Sequence, residues 1–191
     1  GKGTRMNSNL PKVLHRIGGC SMLEHVITAA EKLGNTCLHL VIGYGGEQIK
    51  QHIASLSNGG SINWAIQEPQ LGTGHAVQQT TSALNSDNKN NLVLVLYGDV
   101  PLIKTITLEK LLGQANAETL SLLTLITDEP TGFGRIIRGD DNAITAIVEE
   151  KDASAEQKQI KEINSGIMAI PTVKLVRWLG EIENHNAQGE Y

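Results

Sequence analysis

Leu92-Val93-Leu94-Val95-Leu96-Tyr97-Gly98-Asp99-Val100-Pro101 decides how this chain reads. Five aliphatic residues in unbroken succession suit a strand covered on both faces, as in a parallel sheet flanked by helices. The run stops at a glycine, a carboxylate and a proline, which together make a turn. In open α/β sheets ligands sit beyond the carboxyl ends of the strands, which puts Asp99 where a site is expected. A carboxylate there could hold a hard cation through oxygen ligands, or could simply begin the turn before Pro101.

The same alternation extends on either side. Upstream, Ser21 and Glu24 have capping-box spacing and residues 22–33 have helical periodicity, with Gly34 suited to end the helix. Residues 37–42 read as a short strand, 47–55 as a helix, 62–66 as a strand and 74–84 as a helix. Residues 86–91 form a polar loop. Downstream, 107–115 reads as a helix and 120–126 as a second apolar strand. This order of strands and helices argues for a parallel or mixed α/β sheet. After Thr127 the pattern turns β-rich: strands at 135–137, 144–148 and 163–171, turns at Gly132-Phe133-Gly134 and Gly139-Asp140-Asp141-Asn142, and helices at 155–161 and 173–183. The second half is expected to add a β-rich portion to the same sheet. There is no internal repeat and no low-complexity tract.

Composition bounds the function. The 191 residues suit one domain, and 40% are hydrophobic, but with two Trp, three Tyr and one Phe the core must be aliphatic. Cys20 and Cys37 have no metal or redox spacing, which points to reduced thiols in a cytoplasm. No run of 18 apolar residues and no signal peptide is visible, so a membrane span is not expected. The net charge is −4, yet no acidic residue precedes Glu24, while Lys2, Arg5, Lys12 and Arg16 do. A cationic patch on an acidic protein suits a small polyanion better than a nucleic acid.

That patch contains Gly1-Lys2-Gly3-Thr4-Arg5-Met6, with Leu10-Pro11-Lys12 close behind. Its glycines let the backbone approach an anion, so that N–H groups can cradle phosphate oxygens. The P-loop spacing G-x-x-x-x-G-K-[ST] is absent. The segment resembles the G-x-G-T-R-M…P-K signature of sugar-nucleotide pyrophosphorylases. Further stretches extend the likeness: Gln70-Leu71-Gly72-Thr73-Gly74-His75-Ala76, Tyr97 to Leu102, Thr131-Gly132-Phe133-Gly134-Arg135, Val148-Glu149-Glu150-Lys151 and Ile163-Asn164-Ser165-Gly166. Together they are similar to the bacterial bifunctional N-acetylglucosamine-1-phosphate uridyltransferases / glucosamine-1-phosphate acetyltransferases. Phe133 and Ser165 stand where that family usually has Tyr and Thr.

The resemblance implies a Rossmann-like α/β fold with a mixed, mainly parallel sheet flanked by helices, of the nucleotide-diphospho-sugar transferase type. Residues 1–191 would form a partial uridyltransferase domain. The phosphate loop normally follows a central strand, so an upstream strand is expected to be missing, and continuation past Tyr191 is expected too. The β-helix acetyltransferase domain, through which the parent protein would form a homotrimer, has no counterpart in this chain, so no acetyl transfer is expected of it.

The implied reaction joins UTP and N-acetylglucosamine 1-phosphate, with Mg²⁺ as cofactor and no nucleic-acid or membrane partner, in a bacterial cytoplasm. Arg5 and Lys12 would contact phosphates, helped by Gly1, Gly3 and Thr4. Gln67, Gly72 and Thr73 would hold uridine; a side-chain amide also suits uracil, which shows one N–H between two carbonyls. Gly134, Glu149 and Asn164 would bind the sugar, and Tyr97 would also contact substrate. Asp99 would bind the metal, with the family's second ligand, an Asn, expected downstream of Tyr191. Two other readings are a pyrophosphorylase for a different sugar or base, and a non-catalytic nucleotide-binding module.

Overall fold

In the computed structural model the described residues are 6–34, 36–56, 62–84, 88, 90–184, 189 and 191. The chain begins with a 3-10 turn at Lys12–Leu14 and a small antiparallel hairpin, β1 (Arg16–Ile17) and β2 (Cys20–Ser21). Then come α1 (Met22–Glu31), β3 (Leu38–Ile42), α2 (Gly46–Ala54), β4 (Ile62–Ile66), α3 (Thr73–Gln78) and β5 (Leu92–Val95). The rest comprises α4 (Thr105–Gln114), β6 (Ser121–Ile126), β7 (Arg135–Arg138), β8 (Ile144–Val148), β9 (Glu162–Pro171) and α5 (Thr172–Leu179).

The capping box forms as expected. The Glu24 N–H donates to Ser21 Oγ at 3.2 Å, and the Ser21 N–H donates to the Glu24 carboxylate at 2.6 Å. The helix it starts buries Met22, Leu23, Val26, Ala29 and Ala30, a set repeating every three to four residues. Gly34 takes the left-handed φ of +68° just beyond it.

β3 and β4 pair in parallel, joined through α2, with Leu38 opposite Ile62 and Ile42 opposite Ile66. Their alternate residues Leu40, Ile42, Ile62 and Trp64 meet Leu14, Leu23, Ile49 and Ile53 in one aliphatic core. A second core gathers Ala29, Leu108, Leu111, Ile167 and Ala169 under α1 and α4. A third joins α5 to β5 and β9 through Ile170, Leu175 and Leu179.

β9 organises the larger sheet. β6 pairs with it at both ends, through Glu162 to Asn164 and again at Met168 and Ala169, so β6 lines one edge. β5 takes Met168 to Pro171 and β7 takes Ile163. A strand has two edges, so β5 and β7 share the other one and leave a fork between Ile163 and Met168. The strand order is β5-β9-β7-β8, with β6 on β9.

The fold class is the expected mixed α/β, but the balance of pairings differs. β3–β4 is the parallel pair; β9 runs antiparallel to β5, β6 and β7. β5 and β6 therefore point the same way, with β9 inserted between them. β5 is covered on both faces as expected, with Leu94 on the second core and Val93 and Val95 on the third. Leu92 to Val95 are nonetheless half-buried, because the strand stands at the end of the strand order with β9 its one partner among the described residues. β3 is likewise paired on one edge, by β4.

Two expected helices shrink. α3 stops at Gln78 because the Thr80 and Thr81 hydroxyls donate back to Val77 and Gln78 carbonyls, and a 3-10 turn at Thr81–Ala83 follows. Residues 155–161 hold a 3-10 turn at Gln157–Gln159, braced by reciprocal bonds between Ser154 and Gln157. Among the described residues no helix is long and apolar enough to cross a membrane.

Candidate active site

The segment that follows β3 lies against the one that follows β4, and the 3-10 turn carrying Lys12 lies across the segments that follow β3 and β5. Its backbone is fixed at two points. Leu14 is buried in the first core, and Pro11 packs so closely on Gly45 that a Cβ there would lie 2.6 Å from the proline ring. Gly98 gives a third constraint. A Cβ on it would stand 3.3 Å from both Leu23 and Val13, so a glycine lets the turn settle over the end of β5.

Lys12 Nζ then donates to Asp99 Oδ2 at 2.7 Å, joining residues 87 positions apart. Asp99 is held by the turn in which the Val100 N–H donates to the Tyr97 carbonyl at 3.1 Å. Both side chains remain accessible, at 42% for Lys12 and 34% for Asp99.

Among the described residues no three His, Cys, Asp or Glu side chains converge as a metal-binding group. Asp99 is therefore a single hard carboxylate that already faces one cation, the lysine ammonium. That donor set fits Mg²⁺, which takes one or two carboxylates and completes its shell with phosphate oxygens and water.

The loop after β4 carries the next group. The Gln67 N–H continues the parallel ladder to the Ile42 carbonyl at 2.8 Å. Its side-chain Nε2 donates to the Gly72 carbonyl at 2.8 Å, and His75 Nδ1 lies 3.2 Å away. A carbonyl can only accept, so this contact fixes which end of the amide is nitrogen. Oε1 is the end left for an outside donor. Gly72 has φ +107°, ψ 178°, a conformation that suits glycine, and Thr73 opens α3 at the surface. Gly43 at the end of β3 lies against the Gln70 side chain, which ties this loop to the Lys12 turn through Gly45.

The start of α3 has a partner from the far end of the described chain. The Gly74 N–H donates to the Tyr191 carbonyl at 2.8 Å, and the Tyr191 N–H donates to the Leu71 carbonyl at 2.8 Å. The Tyr191 ring lies 6.3 Å from the His75 imidazole. Tyr191 thus closes one side of the loop, a part that no local motif in its polar neighbourhood signals.

The last group surrounds the fork in β9. Arg135 is 1% exposed. Its Nη2 donates to Glu150 Oε2 at 2.6 Å and to the Lys158 carbonyl at 3.4 Å, and its Nη1 donates to the Phe133 carbonyl. The Gly132 N–H donates to the same carboxylate oxygen at 3.2 Å. Arg135 first, and the Gly132 N–H next, hold the Glu150 carboxyl below its ordinary range.

With that turn pinned, Gly134 meets both neighbours. Its carbonyl accepts from the Asn164 N–H at 2.8 Å, and a Cβ on it would lie 2.8 Å from Glu149 Oε1. Asn164 Oδ1 accepts from the Gly166 N–H at 2.8 Å. Gly166 has φ +73°, and the Tyr97 ring packs where its Cβ would be.

The structure therefore gathers the sequence-derived residues into three groups: Lys12 with Asp99; Gln67 with Gly72 and Thr73; and Tyr97 with Gly134, Glu149 and Asn164. Gly1, Gly3, Thr4 and Arg5 lie outside the described residues, as does Lys2. Sequence reasoning gave no part to Arg135, Glu150 or Tyr191. The signal for the first was an arginine inside an apolar strand, Arg135-Ile136-Ile137, which can be buried only against a partner.

The chain matches the model of the MobA-like NTP transferase domain over residues 1–150. Over all 191 residues it is 52% identical to the bifunctional protein GlmU of Pseudomonas putida and 50% identical to that of Marinobacter nauticus. In both cases the match covers 100% of this chain and 40% of the relative, so the chain spans about two fifths of their length. Among solved structures, an apo UDP-glucose pyrophosphorylase aligns with TM-score 0.76 at 14% identity, covering 100% of this chain and 80% of that one. The inositol-1-phosphate CTP transferase from T. maritima aligns with TM-score 0.68 at 16% identity, covering 95% and 71%. At such identities these two likenesses speak for the fold.

Proposed function

The chain belongs to the MobA-like NTP transferase domain family, and from that premise we propose that it is the uridylyltransferase portion of a longer bifunctional enzyme. It would make UDP-N-acetylglucosamine and pyrophosphate from UTP and N-acetylglucosamine 1-phosphate. The observation that carries this reading is the Lys12–Asp99 pair beyond the end of β5, flanked by the Gln67 loop and the fork in β9.

In the proposed reaction a sugar-phosphate oxygen attacks the α-phosphorus of UTP in line, and the bond to the pyrophosphate oxygen breaks. An ionised phosphate needs no general base, so catalysis is positioning and charge stabilisation. Lys12 contributes the charge on the phosphates, with Arg5 and the N–H groups of Gly1, Gly3 and Thr4 beside it. Asp99 would hold Mg²⁺, which when bound would supply charge neutralisation for the phosphates.

Gln67 Oε1 accepts from the uracil N–H. Gly72 and Thr73 shape the loop around the base. Tyr97, Gly134, Glu149 and Asn164 face the hexosamine, where a carboxylate, an amide and backbone groups suit hydroxyls and an acetamide. Trimer formation and acetyl transfer belong to the parent protein's other portion, and a bacterial cytoplasm is the setting that fits the two free thiols.

The test is Mg²⁺-dependent pyrophosphate release from UTP and N-acetylglucosamine 1-phosphate, run beside TTP and glucose 1-phosphate. Release with the first pair alone supports the reading; equal release with glucose 1-phosphate refutes the sugar assignment. Lys12→Ala should lower kcat/KM by about 2–4 kcal/mol of transition-state stabilisation. Unchanged turnover would remove Lys12 from the phosphates.

A further inference from the structure

A lysine ammonium and a divalent cation bound to one carboxylate compete for its charge. In this structure Asp99 Oδ2 already has Lys12 Nζ at 2.7 Å, whereas Mg²⁺ takes its oxygen ligands at about 2.0–2.1 Å. Two positive centres on the same carboxylate repel each other. Entry of the metal therefore loosens the hold of the lysine and favours its departure.

The geometry makes such a displacement local. The backbone under Lys12 is anchored by Pro11 on Gly45 and by buried Leu14. The turn under Asp99 is closed by the Val100 N–H on Tyr97. What remains free to move is the four-carbon lysine stem, and both paired groups are accessible to solvent.

We propose that the Lys12–Asp99 ion pair is a resting latch, in which Lys12 holds the cation position on Asp99 until a divalent ion and a polyphosphate arrive together. The ion takes the carboxylate and the released ammonium takes the phosphate. This rests on the reading of Asp99 as metal ligand and Lys12 as phosphate ligand given above. Metal alone weakens the pair and gives the lysine no new partner. Nucleotide alone draws the lysine away and gives the carboxylate no new partner. The two together satisfy both groups, so each strengthens the binding of the other by the same factor.

The test is calorimetric titration of Mn²⁺, without nucleotide, into the protein and four variants, each checked by circular dichroism. Lys12→Met removes the competitor and should tighten Mn²⁺ binding by about fivefold, the scale of an exposed ion pair. Lys12→Arg keeps the charge and can grip the carboxylate with two N–H groups, so it should weaken Mn²⁺ binding by a similar factor of about five. Arg16→Gln removes a nearby charge that has no contact with Asp99 and should leave the affinity within about twofold.

Asp99→Asn should abolish binding. Unchanged affinity in Lys12→Met, or a gain no larger than that of Arg16→Gln, overturns the latch while leaving Asp99 a metal ligand. Undiminished binding in Asp99→Asn removes the metal reading itself, and the latch with it.

Discussion

The turn beyond β5 and the fork in β9 each carry an ion pair, and the two pairs are built in opposite ways. Lys12 and Asp99 meet across 87 positions with both side chains accessible, and the Lys12 ammonium is the cation on Asp99 among the described residues. Arg135 is 1% exposed, and it holds Glu150 and the backbone of Phe133 and Lys158. The first pair can exchange partners, since water stands ready to take either charge. The second cannot be broken without stranding a guanidinium in the interior. Charged groups that must change partners sit in the open; charged groups that must hold a turn in place sit inside.

The largest expected effect is at the buried pair. Arg135→Met should destabilise the protein by about 2–4 kcal/mol in urea unfolding, since Glu150 and the 132–134 turn lose their anchor together. A loss under about 0.5 kcal/mol, the size of an ordinary surface change, would erase the contrast between the two ends. Next is Gly166→Ala, expected to lose about 1–3 kcal/mol. Its φ of +73° is strained for any residue with a Cβ, and the new methyl would press into the Tyr97 ring. The same variant should raise KM for the sugar phosphate more than for UTP; equal rises would detach Tyr97 from the sugar end.

Acid gives a third probe. Glu24 is held at about pKa 2 by its bonds with Ser21 and by His52, whose Nε2 lies 3.0 Å away. Glu150 is also lowered, by Arg135 first. A lowered folded-state pKa adds stability that is fully present above the unfolded value and is lost as pH falls through the folded one. The urea midpoint should therefore fall from about pH 4.5 toward pH 2, and Glu24→Gln should flatten that fall. A midpoint equally steep in the variant would assign the loss elsewhere.

The smallest effect belongs to Lys161 and Asp128, 2.6 Å apart but 61% and 89% exposed. Lys161→Gln should change stability by less than about 0.5 kcal/mol, setting the scale against which Arg135 is judged.

Much of this was legible locally. The capping box at Ser21, the strands at Ile62–Ile66 and Ile144–Val148, and the turn before Asp99 depend on neighbours a few residues apart. Helix ends were less so, because hydroxyls such as those of Thr80 and Thr81 compete with the next helical bond, and spacing does not reveal which wins. The apolar run at Leu92 told that both faces would be covered, as they are, but not that one edge would be open, because composition reports the faces and the place in the sheet sets the edges.

The sequence by itself determined the α/β class and the carboxylate beyond the apolar run at Leu92, because each follows from residue types at short spacing; the segments proposed to contact phosphate, base and sugar rest on the family resemblance of their motifs. Tertiary structure alone decided that β9 runs antiparallel between β5 and β6, that it forks between Ile163 and Met168, that Tyr191 closes the Gln67 loop, and that Lys12 rests on Asp99. Those outcomes join residues far apart in the chain, 87 positions in the case of Lys12 and Asp99. Which distant partner a polar group finds depends on the packing of every element between them.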